Sequence, residues 1–297
     1  MLEVGNTPMV KLDKYSTDKV RIFAKVEGCN PGGSIKDRVG FWLVESYLVE
    51  HVLTKDDMII EATSGNTGIG LAMACNKYNI YCVLFVPKTT TIEKIRVMIA
   101  YNAKVVILDG TIDDCIDTVK KLSELYKNMI WLNQYDNRAN IDCHYETTSK
   151  EIYKYIKTQI NEYSNTKNIF IAAMGTTGTI MGCSKRLRKE KWEIIGVMPT
   201  DDTKIEGLKN LNIQRVPKIF NRDMIDNIIQ VTDKDASDTM KQLVKDEGIF
   251  AGLSSGAALF VAKQLTKEYE NKDYRVNIVV ILPDTGRNYL NSGIWDK

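Results

Sequence analysis

Short apolar runs alternate along the chain with longer stretches in which apolar residues recur every three or four positions. The runs at residues 20–26, 58–62, 81–86, 104–108, 129–132, 168–173, 192–197 and 277–282 are dense in aliphatic side chains and end in polar or glycine-containing turns. They predict strands. The amphipathic stretches predict helices over 37–49, 69–77, 91–101, 113–126, 144–161, 235–247 and 255–271. A further helix follows residue 179, with Lys185, Arg186, Arg188 and Lys189 toward its C-terminal end, where cations suit the helix dipole. Residues 200–220 read as an irregular, charged connection. Strands alternating with helices through short links predict an α/β fold, a parallel sheet covered on both faces.

Composition narrows the class. At 297 residues the chain is long enough for two domains. Its hydrophobic fraction of 44% and charged fraction of 26% are those of a globular protein, and a net charge of +2 with interspersed signs predicts neither a nucleic-acid nor a membrane partner. A small molecule is the expected partner. No apolar run approaches the ~20 residues of a bilayer span, and the first ten residues lack the apolar core of a signal peptide, so a cytoplasmic protein is expected. Six cysteines without a C-x-x-C pair, and only His51 and His144, predict neither a disulfide framework nor a metal site.

The chemistry concentrates in four turns. Asn30-Pro31-Gly32-Gly33-Ser34-Ile35-Lys36-Asp37-Arg38 sets a lysine between a Pro-Gly-Gly turn and a helical pattern. Alone, Lys36 reads as an ordinary solvated first-turn lysine. Three further stretches change that reading: residues 63–68 (TSGNTG), 175–179 (GTTGT) and 252–256 (GLSSG), each rich in glycine and hydroxyl groups and each expected between a strand and a helix. Residues 175–179 let backbone N–H groups and a helix N-terminus converge on an anion. The stretch fits neither G-x-x-x-x-G-K-[ST] nor G-x-G-x-x-G, which disfavours a P-loop or dinucleotide site. A phosphate cradle combined with a lysine amine points to pyridoxal phosphate, the lysine forming a Schiff base and the cofactor acting as electron sink.

The four motifs NPGGSIKDR, TSGNTG, GTTGTI and GLSSGA, in this order, resemble the fold-type-II pyridoxal-phosphate enzymes of the cysteine synthase group. The resemblance runs from Gly5-Asn6-Thr7-Pro8 to Pro283-Asp284-Thr285-Gly286-Arg287, and MGTTGTI, residues 136–144 and EGIFAGLSSG are most similar to the B isozyme of O-acetylserine sulfhydrylase. It implies a tryptophan synthase β-like fold of two domains, each a mostly parallel twisted sheet flanked by helices. The larger, cofactor-binding domain would comprise residues 1–35 and 150–297, and the smaller, mobile, substrate-binding one residues 36–149. It implies a homodimer.

It also implies roles. Lys36 would carry the Schiff base and remove the substrate's α-proton, and Asn66 would hydrogen-bond the pyridoxal 3′-oxygen. Gly175, Thr176, Thr177, Gly178 and Thr179 would hold the phosphate. Thr63, Ser64, Gly65, Thr67 and Gln134 would hold the α-carboxylate of a small amino-acid substrate. Ser254 would face the pyridine nitrogen; a hydroxyl there leaves the ring neutral and favours β-elimination over racemisation or transamination. The implied reaction is β-replacement on a 3-substituted L-alanine through an α-aminoacrylate, with O-acetyl-L-serine and sulfide giving L-cysteine and acetate. Alternatives within the same chemistry are a cysteine-consuming, sulfide-releasing enzyme whose nucleophile is water or a thiol, and a cystathionine β-synthase-like enzyme.

Bland readings stand beside these. Asn66 and Thr67, and Ser254 and Ser255, could be helix caps, Gln134 a surface amide, and Cys29 a packing residue. His144 is left outside the site. Residues 199–220 depart from the family pattern near Glu206, Lys209 and Asn210, which opens the identity of the leaving group and nucleophile. A carboxylate of Asp201, Asp202 or Asp233 in the pocket could activate water; a solvated acidic loop is the commoner reading. A catalytically silent binding module is a reading from another class, and intact Lys36, Asn66 and Ser254 argue against it.

Overall fold

The computed structural model describes residues 3–159 and 166–296. Among them the strands are β1 Met9–Lys11, β2 Val20–Val26, β3 Met58–Ala62, β4 Tyr81–Pro87, β5 Lys104–Leu108, β6 Met129–Trp131, β7 Thr166–Ala173, β8 Glu193–Pro199, β9 Asn227–Val231 and β10 Arg275–Leu282. The helices are α1 Lys36–Glu50, α2 Asn66–Tyr78, α3 Ile92–Ala100, α4 Ile112–Leu125, α5 Ala139–Glu146, α6 Thr148–Gln159, α7 Gly178–Leu187, α8 Asp233–Glu247 and α9 Leu253–Tyr269.

The strands form two sheets. One has the order β1-β2-β10-β7-β8-β9 and the other β5-β4-β3-β6. All neighbouring strands run parallel except the β1–β2 pair. Parallel strands must be covered on both faces, which is why β3, β4 and β10 read as near-continuous apolar runs. Side chains of α8 and α9 pack one face of the six-stranded sheet, and those of α6 and α7 the other. The four-stranded sheet lies between α1 and α2 on one side and α4 on the other. Helices α1 and α2 touch at Gly40 and Gly70: a Cβ on Gly40 would stand 2.2 Å from the Gly70 carbonyl carbon, and one on Gly70 would stand 2.4 Å from the Lys36 carbonyl oxygen.

The strand order carries the functional consequence. In the four-stranded sheet the chain steps outward from β3 through β4 to β5, then returns to place β6 on the other side of β3. Loops after β3 and β6 therefore part at a topological switch point, where open parallel sheets bind ligands. In the six-stranded sheet β10, last in sequence, enters between β2 and β7, so the turns after these three strands are neighbours.

Four expectations need correction. The edge strand β1 and the outer strand β9 are too short and too polar at their ends to show an apolar run. The helix expected over 144–161 is two helices, α5 and α6; residues 160 and 161 lie outside the described residues. The break falls at Thr147, whose Oγ1 donates to the Cys143 carbonyl at 2.6 Å, a local side-chain bond that competes with helix continuation. The turn before α9 follows helix α8 rather than a strand, and a one-residue bridge, Ala251 to Thr285, holds it to the end of β10.

Candidate active site

Lys36 opens α1, and a buried ionic network fixes the turn that delivers it. The Arg38 guanidinium donates to both Glu27 oxygens, Nε and Nη2 each at 2.8 Å, and to both Glu151 oxygens at 2.6 and 2.8 Å. Glu27, fully buried, also accepts from Thr7 Oγ1 at 2.7 Å and Asn30 Nδ2 at 2.8 Å. Lys25 completes the set, 2.5 Å from Glu151. Planar, bidentate pairing of this kind sets direction as well as proximity. Asn30 and Arg38, two ends of the NPGGSIKDR motif, thus work on the backbone of the turn. Asp37 accepts from Gly32 N–H at 2.5 Å, and burial pushes its carboxyl up to about 7.

The Lys36 side chain keeps some exposed surface. Desolvation nevertheless holds its ammonium below the usual lysine value, against the opposing pull of Cys143, Asp284 and Glu27. A lysine so placed is easily converted to a neutral amine.

The turn after β3 is built by Thr63, whose Oγ1 accepts from the N–H of Gly65 at 3.0 Å and of Gly68 at 3.1 Å. The Gly65 N–H is therefore held inside the turn. Gly65 has φ +143°, and a Cβ there would meet Lys94 Cδ at 2.3 Å, so no side chain fits. Neither Asn66 nor Thr67 caps α2: Gly65 occupies the cap position without a side-chain bond. Ser64 is exposed and Asn66 partly so, while Thr67 is buried with Oγ1 donating to Gln134 Oε1 at 2.6 Å. Gln134, expected at the surface on its bland reading, is 2% exposed and donates from Nε2 to the Ala62 carbonyl at 3.0 Å.

Glu61 locks these two loops together. Its Oε1 accepts from Trp131 Nε1 and from Ala62 N–H, each at 2.9 Å, and its Oε2 from Gln134 N–H at 3.2 Å. With no cation among these partners, burial raises its carboxyl to about 7.

The turn after β7 enters α7 through Thr177 at φ +70°. Thr176, Thr177 and Thr179 are buried, and Thr177 Oγ1 has no partner. Asn140 Nδ2 on α5 reaches both Thr176 Oγ1 at 3.1 Å and the Gln134 carbonyl at 2.8 Å, joining this turn to the loop after β6. His144, left out on sequence grounds, spans from Thr148 Oγ1 at 3.0 Å to Thr179 Oγ1 at 3.2 Å. Desolvation first, then Lys36 and Arg38, hold it neutral. Its role is invisible without the α5–α7 packing. The unpartnered Thr177 hydroxyl, the free N–H groups of the first helical turn and the absence of basic residues from 175–179 fit a phosphate held by dipoles. The residues present suit pyridoxal phosphate.

The turn before α9 brings Ser254 and Ser255, both buried, and Gly252 rather than either serine stands at the cap. Gly252 N–H donates to the Asp284 carbonyl at 3.2 Å, and Asn66 Nδ2 donates to Asp284 Oδ2 at 2.8 Å. Ile35 N–H donates to the Pro283 carbonyl at 2.8 Å, so three of the four motifs meet at the end of β10.

Residues 200–220 lie against the elements around the four-stranded sheet through four ion pairs: Glu206 with Lys94, Lys209 with Asp113 (3.4 Å), Arg215 with Asp117 (3.0 Å) and Lys218 with Asp136 (2.9 Å). Asp201, Asp202 and Asp233 are exposed. Asp201 is held by Asn210 at 2.7 Å and Gln230 at 2.9 Å, whose hydrogen bonds lower its carboxyl. The acidic residue brought against the Gly65 turn is Glu206, through Lys94. No helix among the described residues is long and apolar enough to cross a membrane, and all six cysteines are free.

Comparison with known proteins agrees with this geometry. Cysteine synthase B of Pseudomonas aeruginosa is 34% identical over 298 residues, covering 99% of this chain and 96% of that protein. A hydrogen sulfide-producing enzyme of Fusobacterium nucleatum superposes with a TM-score of 0.87 at 35% identity, covering 97% of each chain. O-ureido-L-serine synthase superposes with a TM-score of 0.87 at 30% identity, covering 99% of this chain and 93% of that one. The family model described as pyridoxal-phosphate dependent enzyme matches residues 1–284. A match of that span, on a fold whose desolvated lysine and threonine cradle suit the cofactor, makes this chain a member of the pyridoxal-phosphate-dependent enzyme family, with pyridoxal 5′-phosphate as its cofactor.

Proposed function

We propose that the enzyme performs β-replacement as a cysteine synthase, taking O-acetyl-L-serine and sulfide to L-cysteine and acetate. The observation that carries this reading is the desolvated Lys36 amine at the head of α1, beside turns suited to a phosphate and a carboxylate. Bound pyridoxal phosphate supplies the electron sink for the substrate's α-carbon. Lys36 Nζ would hold the cofactor and would take the substrate's α-proton; its lowered proton affinity suits it to act as a base near neutral pH. Gly175, Thr176, Thr177, Gly178 and Thr179 take the phosphate, with Asn140 and His144 fixing the threonines. Thr63, Ser64, Gly65, Thr67 and Gln134 form the carboxylate site: Ser64 supplies the open hydroxyl, and Thr63 and Gly65 shape the turn. Asn66 would hold the 3′-oxygen and Ser254 would meet the pyridine nitrogen.

A second reading keeps the machinery and changes the donor: cysteine enters, sulfide leaves, and water or a thiol adds. The similarity to a hydrogen sulfide-producing enzyme favours it. The same proposal includes a homodimer in the cytoplasm, and movement of residues 36–149 as a unit against 1–35 and 150–297.

The test mixes the yellow holoenzyme separately with O-acetylserine, cysteine and serine, recording the cofactor spectrum together with acetate and sulfide release, with Lys36→Ala as control. A spectral change built by O-acetylserine and discharged by sulfide to cysteine supports the synthase. A change built by cysteine with sulfide release, and little response to O-acetylserine, replaces it with the second reading. No response in any mixture overturns both.

A further inference from the structure

The motif Pro283-Asp284-Thr285-Gly286-Arg287 has no role in the reaction as described, yet Asp284 touches more of the site than any of its neighbours in that motif. We propose that Asp284 is the positioning residue for Asn66, fixing which end of that amide faces the cofactor's ring oxygen. This rests on the assignment of Asn66 to the 3′-oxygen.

An asparagine amide is a donor at one end and an acceptor at the other, and the two ends have nearly the same shape. Something must select the donor end. Asn66 Nδ2 donates to Asp284 Oδ2 at 2.8 Å, and Asn66 Oδ1 accepts from Asn288 Nδ2 at 3.1 Å. Asp284 Oδ2 is an acceptor here, taking hydrogens from both Asn66 Nδ2 and Tyr289 Oη, so it admits Nδ2 and rejects Oδ1, and Asn288 enforces the same choice from the other side. One N–H of Nδ2 then remains for the cleft.

Asp284 is itself held from several directions. Its Oδ2 also accepts from Tyr289 Oη at 2.8 Å. Its main chain bridges to Ser34 of the Lys36 turn and accepts from Gly252 N–H of the Ser254 turn. Its Oδ1 is buried without a partner, against Gly252, where a Cβ would stand 2.2 Å away. Burial pushes its carboxyl up, while Lys94, Tyr289 and Asn66 pull it down and Glu206 pushes it up again. Lys94, over the Tyr289 ring at 5.0 Å, brings a positive charge to this carboxylate from the helix behind the Gly65 turn. The position therefore ties the orientation of one amide to the turns that carry Lys36 and Ser254.

The experiment is a double-mutant cycle read by cofactor binding and not by turnover. Holoenzyme, Asp284→Ala, Asn66→Ala and the double variant are resolved and titrated with pyridoxal phosphate, recording the dissociation constant and the visible absorption maximum. Asn66→Ala is expected to weaken binding at least tenfold and move the band. Asp284→Ala should do the same, and in the Asn66→Ala background it should add less than twofold, because a residue acting through Asn66 has nothing left to position. Asn288→Ala, at a partly exposed site, frees the other end of the amide; it should weaken binding a few-fold alone and not at all in the Asn66→Ala background, and it decides the matter if Asp284→Ala does not fold. If Asp284→Ala leaves binding unchanged, or its effect multiplies with that of Asn66→Ala, the positioning role is wrong while Asn66 keeps its assignment. If Asn66→Ala itself changes neither constant nor band, the assignment of Asn66 fails and the proposal fails with it.

Discussion

Replacing Glu61 by glutamine should make the protein more stable at pH 8 than the wild type. Glu61 is fully buried, and its partners are backbone N–H groups of Ala62, Gln134 and Asn133 and the Trp131 indole. Burial moves its carboxyl from an ordinary 4.5 to about 7, with the hydrogen bonds from Trp131, Ala62 and Gln134 acting in the opposite direction. The folded value lies above the unfolded one, so the folded state holds the extra proton. The associated stability is present below pH 4.5 and is lost as pH rises toward 7, after which the deficit is constant. At about 1.36 kcal/mol per unit, the deficit reaches roughly 0.8 kcal/mol at pH 5 and roughly 3.3 kcal/mol at pH 8. Glutamine imitates the protonated side chain and carries no such deficit. The difference between variant and wild type should therefore grow by about 2.5 kcal/mol across that interval, which for a chain of this size is about 5 °C in melting temperature. Thermal unfolding of both apoproteins at half-unit steps from pH 5 to pH 8 measures it. A gap that stays constant with pH would show that Glu61 is not the titrating group, and a gap that narrows would reverse the sign of the reasoning.

Two further perturbations test the site from other sides. Lys36→Met should abolish the visible cofactor band and lower turnover at least ~10³-fold, a magnitude in the range of a lost general base. Because the lysine's folded value is lowered, the partly desolvated ammonium costs stability near neutrality, so the same variant's apoprotein should melt higher at pH 7, with the advantage shrinking toward pH 10; an apoprotein that melts lower at pH 7 refutes the desolvated ammonium. Gly175→Ala would put a Cβ 2.4 Å from the Gly207 carbonyl oxygen, a backbone atom that only a shift of residues 200–220 can clear. A strain of about 1–3 kcal/mol should lower the apoprotein's melting temperature by roughly 2–5 °C, measured by thermal unfolding beside the wild type; an unchanged melting temperature would mean that the two loops move freely past each other.

By itself the sequence determined the long buried strands, most of the helices, and the polar composition of the turns between them; it did not show the short outer strands β1 and β9 or the break between α5 and α6. These are local properties: an apolar run such as 277–282 reports burial, and Pro31-Gly32-Gly33 before Lys36 reports a turn that opens a helix. The placement of Gly65 and of the threonines of 175–179 in turns that open helices was legible for the same reason, since glycine and hydroxyl residues mark such turns. The tertiary structure alone decided who meets whom. One buried parallel strand looks much like another, so nothing local places β10 between β2 and β7, and that order is what brings Asp284 to Asn66 across 218 residues. The break at Thr147 is a matter of one hydroxyl bond, yet it separates the helix that carries Asn140 and His144 to the turn after β7 from the helix that carries Glu151 to Arg38. Nothing local in the sequence pairs Lys94 with Glu206, and only the packing of residues 200–220 over the Gly65 turn makes them a pair. Hydrophobic period records which side of an element is dry, and a polar group's partner is set afterward by how the dry sides stack.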